Sequence, residues 1–212
     1  MTFLKSKYTG RNEFIATVIA LYSGMRLGEI CDLKNKDIYN DCFHVKEGKT
    51  PSAARVIPIH PVIKPIIENL KNTSENEYLI RGISNGGYDS KRSWNFQKKL
   101  TRLRQKLETP EGLNFHTLRN TFATRMENLG IPTNHLNKLL GHKNNNISLD
   151  VYSAGLAIEP LVESINKLTY GEELDSFIKG YLKEKSNGEA NDKITDMELL
   201  AKLQTSESLL GS

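Results

Sequence analysis

Cysteine is scarce in this 212-residue chain, with Cys31 and Cys42 the only two. Two thiols cannot build a disulfide scaffold, and no Cys/His cluster has the spacing of zinc ligands, so neither a metal nor any other cofactor is expected. A carboxylate cluster of the kind a two-metal nuclease needs is also missing. Long apolar runs are absent: mean hydropathy is −0.47, and nothing approaches the roughly 20 residues of a membrane span. The start, MTFLKSKYTG, is basic but lacks the apolar stretch of a signal peptide. The expectation is therefore a chain with no membrane partner, working in a reducing cytoplasm. No internal repeat is found.

What is present is ordinary in amount and uneven in placement. With 38% hydrophobic and 25% charged residues, a chain of this length can bury one sizeable core. The formal net charge is +4, but residues 171–212 are acidic and residues 1–170 carry the basic excess. Much of that excess lies in DSKRSWNFQKKLTRLRQK, residues 89–106, where seven Lys or Arg face one Asp. A basic helix of this kind is either a solvated face or a surface that tracks phosphates, since counterion release makes it hold nucleic acid backbone. Lys91, Arg92, Lys98, Lys99, Arg102 and Arg104 are its candidate DNA-binding residues.

Periodicity gives a mainly α chain with a small antiparallel β-sheet. TGRNEFIATVIALYSG reads as a buried helix through Phe14, Ile15, Val18, Ile19 and Tyr22, with Thr9 as N-cap and Gly24 as stop. LGEICDL predicts a short helix. CFHVKE and ARVIPIH predict two strands joined by GKTPSA. PVIKPIIENLKN resumes helix, with Pro61 at an early position where a missing amide donor costs little, and EYLIR is expected to add an edge strand. The basic helix follows, then the loop TPEGLN. HTLRNTFATRM predicts a helix anchored by Leu118, Phe122 and Met126 and stopped at Gly130. PTNHLNKLLGH carries an apolar stripe of Leu136, Leu139 and Leu140 up to Gly141, and IEPLVESINKL is a further amphipathic helix. Beyond Tyr170 the apolar pattern thins, KEKSNGEANDK reads as a linker, and DMELLAKLQTSESLL is either a helix that docks on something or a loose tail.

Several side chains suited to a phosphodiester recur along this frame: Arg26 in SGMRLGE, Lys49 in the hairpin turn, His116 and Arg119 three residues apart on one helix, His142 after LLG, and Tyr152 in DVYS. Each alone has a plain reading as a surface charge, a cap or a core aromatic. In their order and spacing, over about residues 8–168, they resemble the catalytic domain of the tyrosine recombinase, or phage integrase, family. SGMRLGE resembles the family's first box, which makes Arg26 a catalytic arginine and Glu29 its support. HTLRNTFATRM resembles the H-x-x-R box with His116 and Arg119, LLGH supplies His142, and Tyr152 stands where the family has its nucleophile. GKTPSAARVIPI resembles the hairpin with the catalytic lysine, and Lys49 is the match, with Lys46 on the same hairpin as the competitor.

The resemblance implies a site-specific recombinase or integrase that cuts and rejoins double-stranded DNA without a metal, through a 3′-phosphotyrosine. A phenol with an ordinary pKa near 10 is a poor nucleophile until positive charge stabilises its oxyanion. Two arginines can present planar forks to the non-bridging oxygens of one phosphate. Lys49 suits protonation of the leaving 5′ oxygen, His116 the movement of protons, and His142 a hydrogen bond to the phosphate. The family resemblance further implies a homo-tetramer on DNA, a bacterial or phage origin, and a separate helical clamp domain before the catalytic one. That clamp is expected to be missing from this chain, which starts almost at the first catalytic-domain helix. On this basis residues 1–170 form the catalytic domain and residues 171–212 an acidic tail, in which residues 172–183 or 196–210 are either the C-terminal helix that the family packs in trans or a loose solvated end. The alternative readings are a DNA-binding or regulatory module without turnover, and topoisomerase-like strand relaxation. Completeness of the set, with Tyr152 and both arginines present, weighs against the first.

Overall fold

A computed structural model describes residues 11–46, 54–73, 76–106, 112, 114–142 and 157–186. Its first helix, α1 (Arg11–Ser23), is the axis of the molecule. From Phe14 to Met25 every residue is buried, the small Ala16 and Ala20 alongside Phe14, Ile15, Val18, Ile19 and Tyr22. A helix apolar around its whole circumference has to lie inside the fold, and burying each of its large side chains contributes about 1.5–3 kcal/mol. It packs on α5 (Phe115–Asn128) and on the short α2 (Leu27–Asp32). Thr9, the expected cap, lies outside the described residues. Gly24 ends the helix as expected, with φ +65 and its amide on the Ala20 carbonyl.

A 3-10 turn (Asn35–Asp37) leads into a three-stranded antiparallel sheet in the order β1 (Ile38–Tyr39), β2 (Cys42–Val45), β3 (Arg55–Pro58). The pair β2 and β3 was expected, in the register Phe43 to Ile57 and Val45 to Arg55. Strand β1, two residues long, was not. Its signal was Asn40-Asp41, both at positive φ (51 and 54), the backbone that a tight two-residue hairpin demands. Phe43 and Ile57 point into the core, while His44 stacks on Tyr39 on the outer side with ring centroids 3.6 Å apart.

Helix α3 (Lys64–Asn72) begins later than the sequence suggested: Pro61 lies in the turn before it, and Pro65 takes the early position instead. The expected edge strand EYLIR does not form. Leu79 and Ile80 are buried, but the segment is held by one isolated bridge, Lys34 to Tyr78, because its backbone meets the end of α2 rather than a sheet edge. Helices α4 (Arg92–Lys106), α5, α6 (Thr133–Leu140) and α7 (Ile158–Asn166) follow the expected order.

Helix α8 (Glu172–Ser186) departs from the reading of residues 172–183 as a trans-packing segment. Its first turns dock in cis: Leu174 and Ile178 enter the core, and Phe177 meets Phe14 edge-on at 6.2 Å. Asp175 accepts hydrogen bonds from the Tyr22 hydroxyl (2.5 Å), the Thr169 hydroxyl (2.8 Å) and the Tyr170 amide (3.2 Å). The buried tyrosine of α1 thus finds the partner it needs on α8, and the core runs past residue 170. Residues 196–210 lie outside the described residues.

Gly24 joins backbone demand to close packing. A Cβ there would meet Phe122 Cδ1 at 2.6 Å and Leu140 Cδ2 at 2.9 Å. Gly24→Ala should therefore destabilise the fold by about 1–2 kcal/mol for the left-handed backbone and about 1–3 kcal/mol more for overpacking. Denaturant unfolding of the variant beside the wild type measures this, and an unchanged midpoint would contradict the close approach of α1, α5 and α6.

Candidate active site

Three chain segments meet at the end of α1. The first is the turn from Gly24 into α2. Arg26 occupies the N-cap of α2 in extended conformation (φ −76, ψ 152), and Glu29, at the third helical position, reaches back to it. One Glu29 oxygen accepts from the Arg26 amide at 2.8 Å and the other from Arg26 Nη1 at 3.0 Å. Glu29 thus braces Arg26 through one half of a capping box, its carboxylate accepting from the N-cap amide, while the guanidinium has no acceptor with which to return the second bond. With its side chain 43% exposed, Arg26 is half in solvent, whereas Glu29 is at 15%.

The second segment is the start of α5. Asn114 caps it by accepting from the His116 amide at 2.8 Å, and the Thr117 hydroxyl accepts from the Asn114 amide at 3.1 Å. His116 stands exposed on the first turn and Arg119 follows one turn later, buried to 3%. Phe122 and Met126 lie wholly in the core, with Leu118 packed against it, and they set the rotation of the helix that brings Arg119 inward. Arg119 Nη1 donates to the Gly24 carbonyl at 2.6 Å, and Nη2 to the Leu140 carbonyl at 2.5 Å.

The third segment is the end of α6. Gly141 adopts φ +67, and the amides of Gly141 and His142 return to the carbonyls of Lys138 and Asn137, the paired bonds of a Schellman stop. That reversal carries His142 Nε2 to 3.0 Å from Arg119 Nη2. A guanidinium has no acceptor, so Nε2 accepts and the ring proton of the neutral imidazole sits on Nδ1.

A residue outside the expected set completes the cluster. Arg55, at the start of β3, has a side chain only 2% exposed. Its Nη1 and Nη2 donate to the two oxygens of Glu29 at 2.9 and 2.8 Å, and its Nε to the Leu139 carbonyl at 2.7 Å. An arginine at a strand position facing the core was the available sequence signal, since such a charge is buried only when paired.

The electrostatics follow from these contacts. Burial pushes the Glu29 carboxyl up, but the Arg55 hydrogen bonds and charge, then the Arg26 amide and charge, outweigh it and hold it below the usual carboxylate range. Arg119 is pushed down to about 10 by burial, then by the charges of Arg26 and Arg55, with Glu29 opposing; it remains a cation at neutral pH. His142 is lowered by burial first and then by Arg119, Arg26, Arg55 and His116. Two guanidinium groups thus grip one carboxylate, a third lies close enough to feel its charge, and the cluster is poised for an anion.

Arg26, His116 and Arg119 line a single open cleft of about 400 Å³, together with Asn114, Gln97 and Arg104 from α4. The structure brings those three and His142 together. Lys49 and Tyr152 lie outside the described residues. Lys46, the alternative to Lys49, is paired with Asp37 at 2.7 Å. Of the basic helix, Lys98, Lys99 and Arg102 are exposed, Lys98 beside the Trp94 ring at 5.0 Å, and Lys91 pairs with Asp89. Arg92 does not behave as a surface charge: it donates to the carbonyls of Cys31, Ile83 and Ile80 and lies 3.5 Å over the Tyr78 ring. Among the described residues no group of three His, Cys, Asp or Glu is placed to hold a metal, and no helix is long and apolar enough to cross a membrane.

The model of the phage integrase family matches residues 1–156 of this chain. Over 135 residues the chain is 32% identical to the tyrosine recombinase XerA of Pyrococcus furiosus, covering 59% of this chain and 44% of that protein. The chain thus spans less than half the length of that relative. Among solved structures, the integrase of mycobacterium phage Brujita aligns with a TM-score of 0.55 at 16% identity, covering 80% of this chain and 57% of that one. The Tn1549 transposon integrase, solved in complex with circular intermediate DNA, aligns with a TM-score of 0.51 at 21% identity over 77% of this chain and 60% of that one. At these identities the structural likeness is one of fold.

The lowered His142 has a measurable sign. An unfolded chain takes up the proton near the ordinary value of 6.5, the folded one only at lower pH. Stability contributed by the neutral ring is therefore present above about pH 6.5 and is lost as pH falls below it. Titrating the ring by NMR should give a midpoint below the ordinary histidine value, moving upward in Arg26→Ala as one neighbouring cation is removed. A midpoint at or above the ordinary value in the wild type would contradict the cationic surroundings.

Proposed function

We propose that this chain, which belongs to the phage integrase family, cuts and rejoins double-stranded DNA through a covalent 3′-phosphotyrosine on Tyr152. The observation that carries the reading is the convergence of Arg26, His116 and Arg119 on one cleft, with His142 against Arg119. In the reaction the Tyr152 phenolate oxygen attacks the scissile phosphorus, a P–O bond to tyrosine forms, and the P–O5′ bond breaks. Lys49 delivers a proton to the leaving 5′ oxygen, releasing a hydroxyl, and His116 takes the phenol proton. Arg26 and Arg119 hold the non-bridging oxygens, where negative charge builds up in the transition state. His142, with Nε2 accepting from Arg119, donates to the phosphate through Nδ1.

The phosphotyrosine keeps the energy of the original linkage. A 5′ hydroxyl from a second strand can therefore attack it, release Tyr152 and restore a phosphodiester without ATP, which makes the outcome strand exchange rather than hydrolysis. Lys91, just before α4, and Lys98, Lys99 and Arg102 on it follow the DNA backbone, with Arg104 at the cleft. Arg92 is left out of that set because its fork is occupied by three backbone carbonyls. Residues 1–170 carry the catalytic set, and residues 171–212 are an acidic C-terminal segment whose first turns close the same core. A homo-tetramer on DNA, acting in the cytoplasm, is the assembly the family resemblance supports, and the DNA in the Tn1549 integrase complex supports a DNA partner.

Incubation with a nicked duplex that loses its 5′ hydroxyl fragment by diffusion should trap a protein–DNA adduct that survives denaturing electrophoresis. Tyr152→Phe should form none, and Arg26→Ala should form it about 10²–10³-fold more slowly, the range for deleting one preorganised charge-stabilising donor. An adduct persisting in Tyr152→Phe, or none with the wild type, overturns the proposal.

A further inference from the structure

Among the described residues, Arg55 is the arginine of this cluster to which the reaction above assigns no work, yet it is the most thoroughly held. Each Glu29 oxygen serves two donors: one receives Arg26 Nη1 at 3.0 Å and Arg55 Nη1 at 2.9 Å, the other the Arg26 amide and Arg55 Nη2, both at 2.8 Å. That arrangement fills the roughly four lone-pair sites of a carboxylate. The remaining Arg55 nitrogen, Nε, is bound to the Leu139 carbonyl, and the next carbonyl, that of Leu140, is bound by Arg119.

We propose that Arg55 is a positioning residue for DNA cleavage: its fork fixes Glu29, Glu29 fixes Arg26, and its Nε fixes the end of α6 against which Arg119 rests. The proposal rests on the strand-cleavage reading above. Its physical reason is the contrast in mobility along the chain of contacts. Arg26, half in solvent, has a long side chain with several rotatable bonds, and a single hydrogen bond to a loose carboxylate would not hold its fork at one angle. The Glu29 side chain, 15% exposed, becomes rigid only because a nearly buried planar fork grips both its oxygens. With Nη1 pinned to Glu29, the phosphate falls to Nη2 and Nε of Arg26.

Removal of Arg55 should act on rate more than on binding. In Arg55→Met, single-turnover adduct formation on the nicked duplex should fall about 10²-fold, the cost of misplacing a catalytic group by about an ångström, while duplex affinity measured without turnover stays close to wild type. In the double variant Arg26→Ala, Arg55→Met the loss of rate should be smaller than the product of the two single losses, because Arg55 acts largely through Arg26; losses that multiply overturn the proposal. A readout independent of cleavage is side-chain 15N relaxation of Arg26, ordered in the wild type and mobile in Arg55→Met. Equal order in both overturns the positioning role whether or not the protein cuts DNA, while a wild type that forms no adduct overturns the cleavage reading and leaves Arg55 to be judged by relaxation. Should Arg55→Met fail to fold, Arg55→Lys keeps the charge and loses the fork, and the same three measurements decide.

Discussion

The last four carbonyls of helix α6 have no partners within the helix, and the site is built on how they are satisfied. Those of Asn137 and Lys138 are taken by the amides of His142 and Gly141. Those of Leu139 and Leu140 are taken by Arg55 and Arg119. Leaving either of the latter pair unmatched in this buried position would cost about 1–3 kcal/mol, so the fold itself requires two cations at the helix end, where the dipole also favours them. The same guanidinium that closes α6 through Leu140 reaches the Gly24 carbonyl at the end of α1. Folding and the proposed chemistry thus draw on the same atoms, and the geometry that one demands is held by the other.

The cluster is deliberately short of negative charge. Glu29 is the one carboxylate bonded in the cluster, and Arg26 and Arg55 saturate it, while Arg119 feels only its charge. A buried ion pair with every hydrogen-bonding position filled avoids the penalty that makes such pairs poor sources of stability, and its value here lies in direction rather than in energy. The excess charge is directed into the cleft, beside His116 and Arg104. An anion bound there would relieve the repulsion among the arginines and, binding the folded chain alone, would stabilise it.

Helix α8 shows a different relation between core and surface. Its leading turn is acidic, with Glu172, Glu173 and Asp175, and charge alone reads it as solvated tail. Asp175 instead meets the Tyr22 hydroxyl from the centre of α1, and Leu174 and Ile178 close the core above it. Apolar residues sit there at helical spacing in a segment too polar on average to announce itself, which is why periodicity understated it. Arg92 is the converse: in a run of seven basic residues one is structural, and nothing in a charge pattern marks which.

By itself the amino-acid order determined the helices, because apolar spacing and the stops at Gly24, Gly130 and Gly141 are local properties of the chain. It also determined the central strand pair and the identities of Arg26, His116, Arg119 and His142 as a set, since the motifs around them are short and contiguous. Strand β1 escaped because two residues carry no period, and EYLIR misled because burial of Leu79 and Ile80 does not require a ladder. Only the tertiary structure decided that Arg119 spans two helix ends, that Arg55 and Arg26 share one carboxylate, and that His142 accepts rather than donates at Nε2. Those contacts join residues up to 95 positions apart. Their geometry is set by packing of α1, α5, α6 and β3 against one another, which no local spacing encodes.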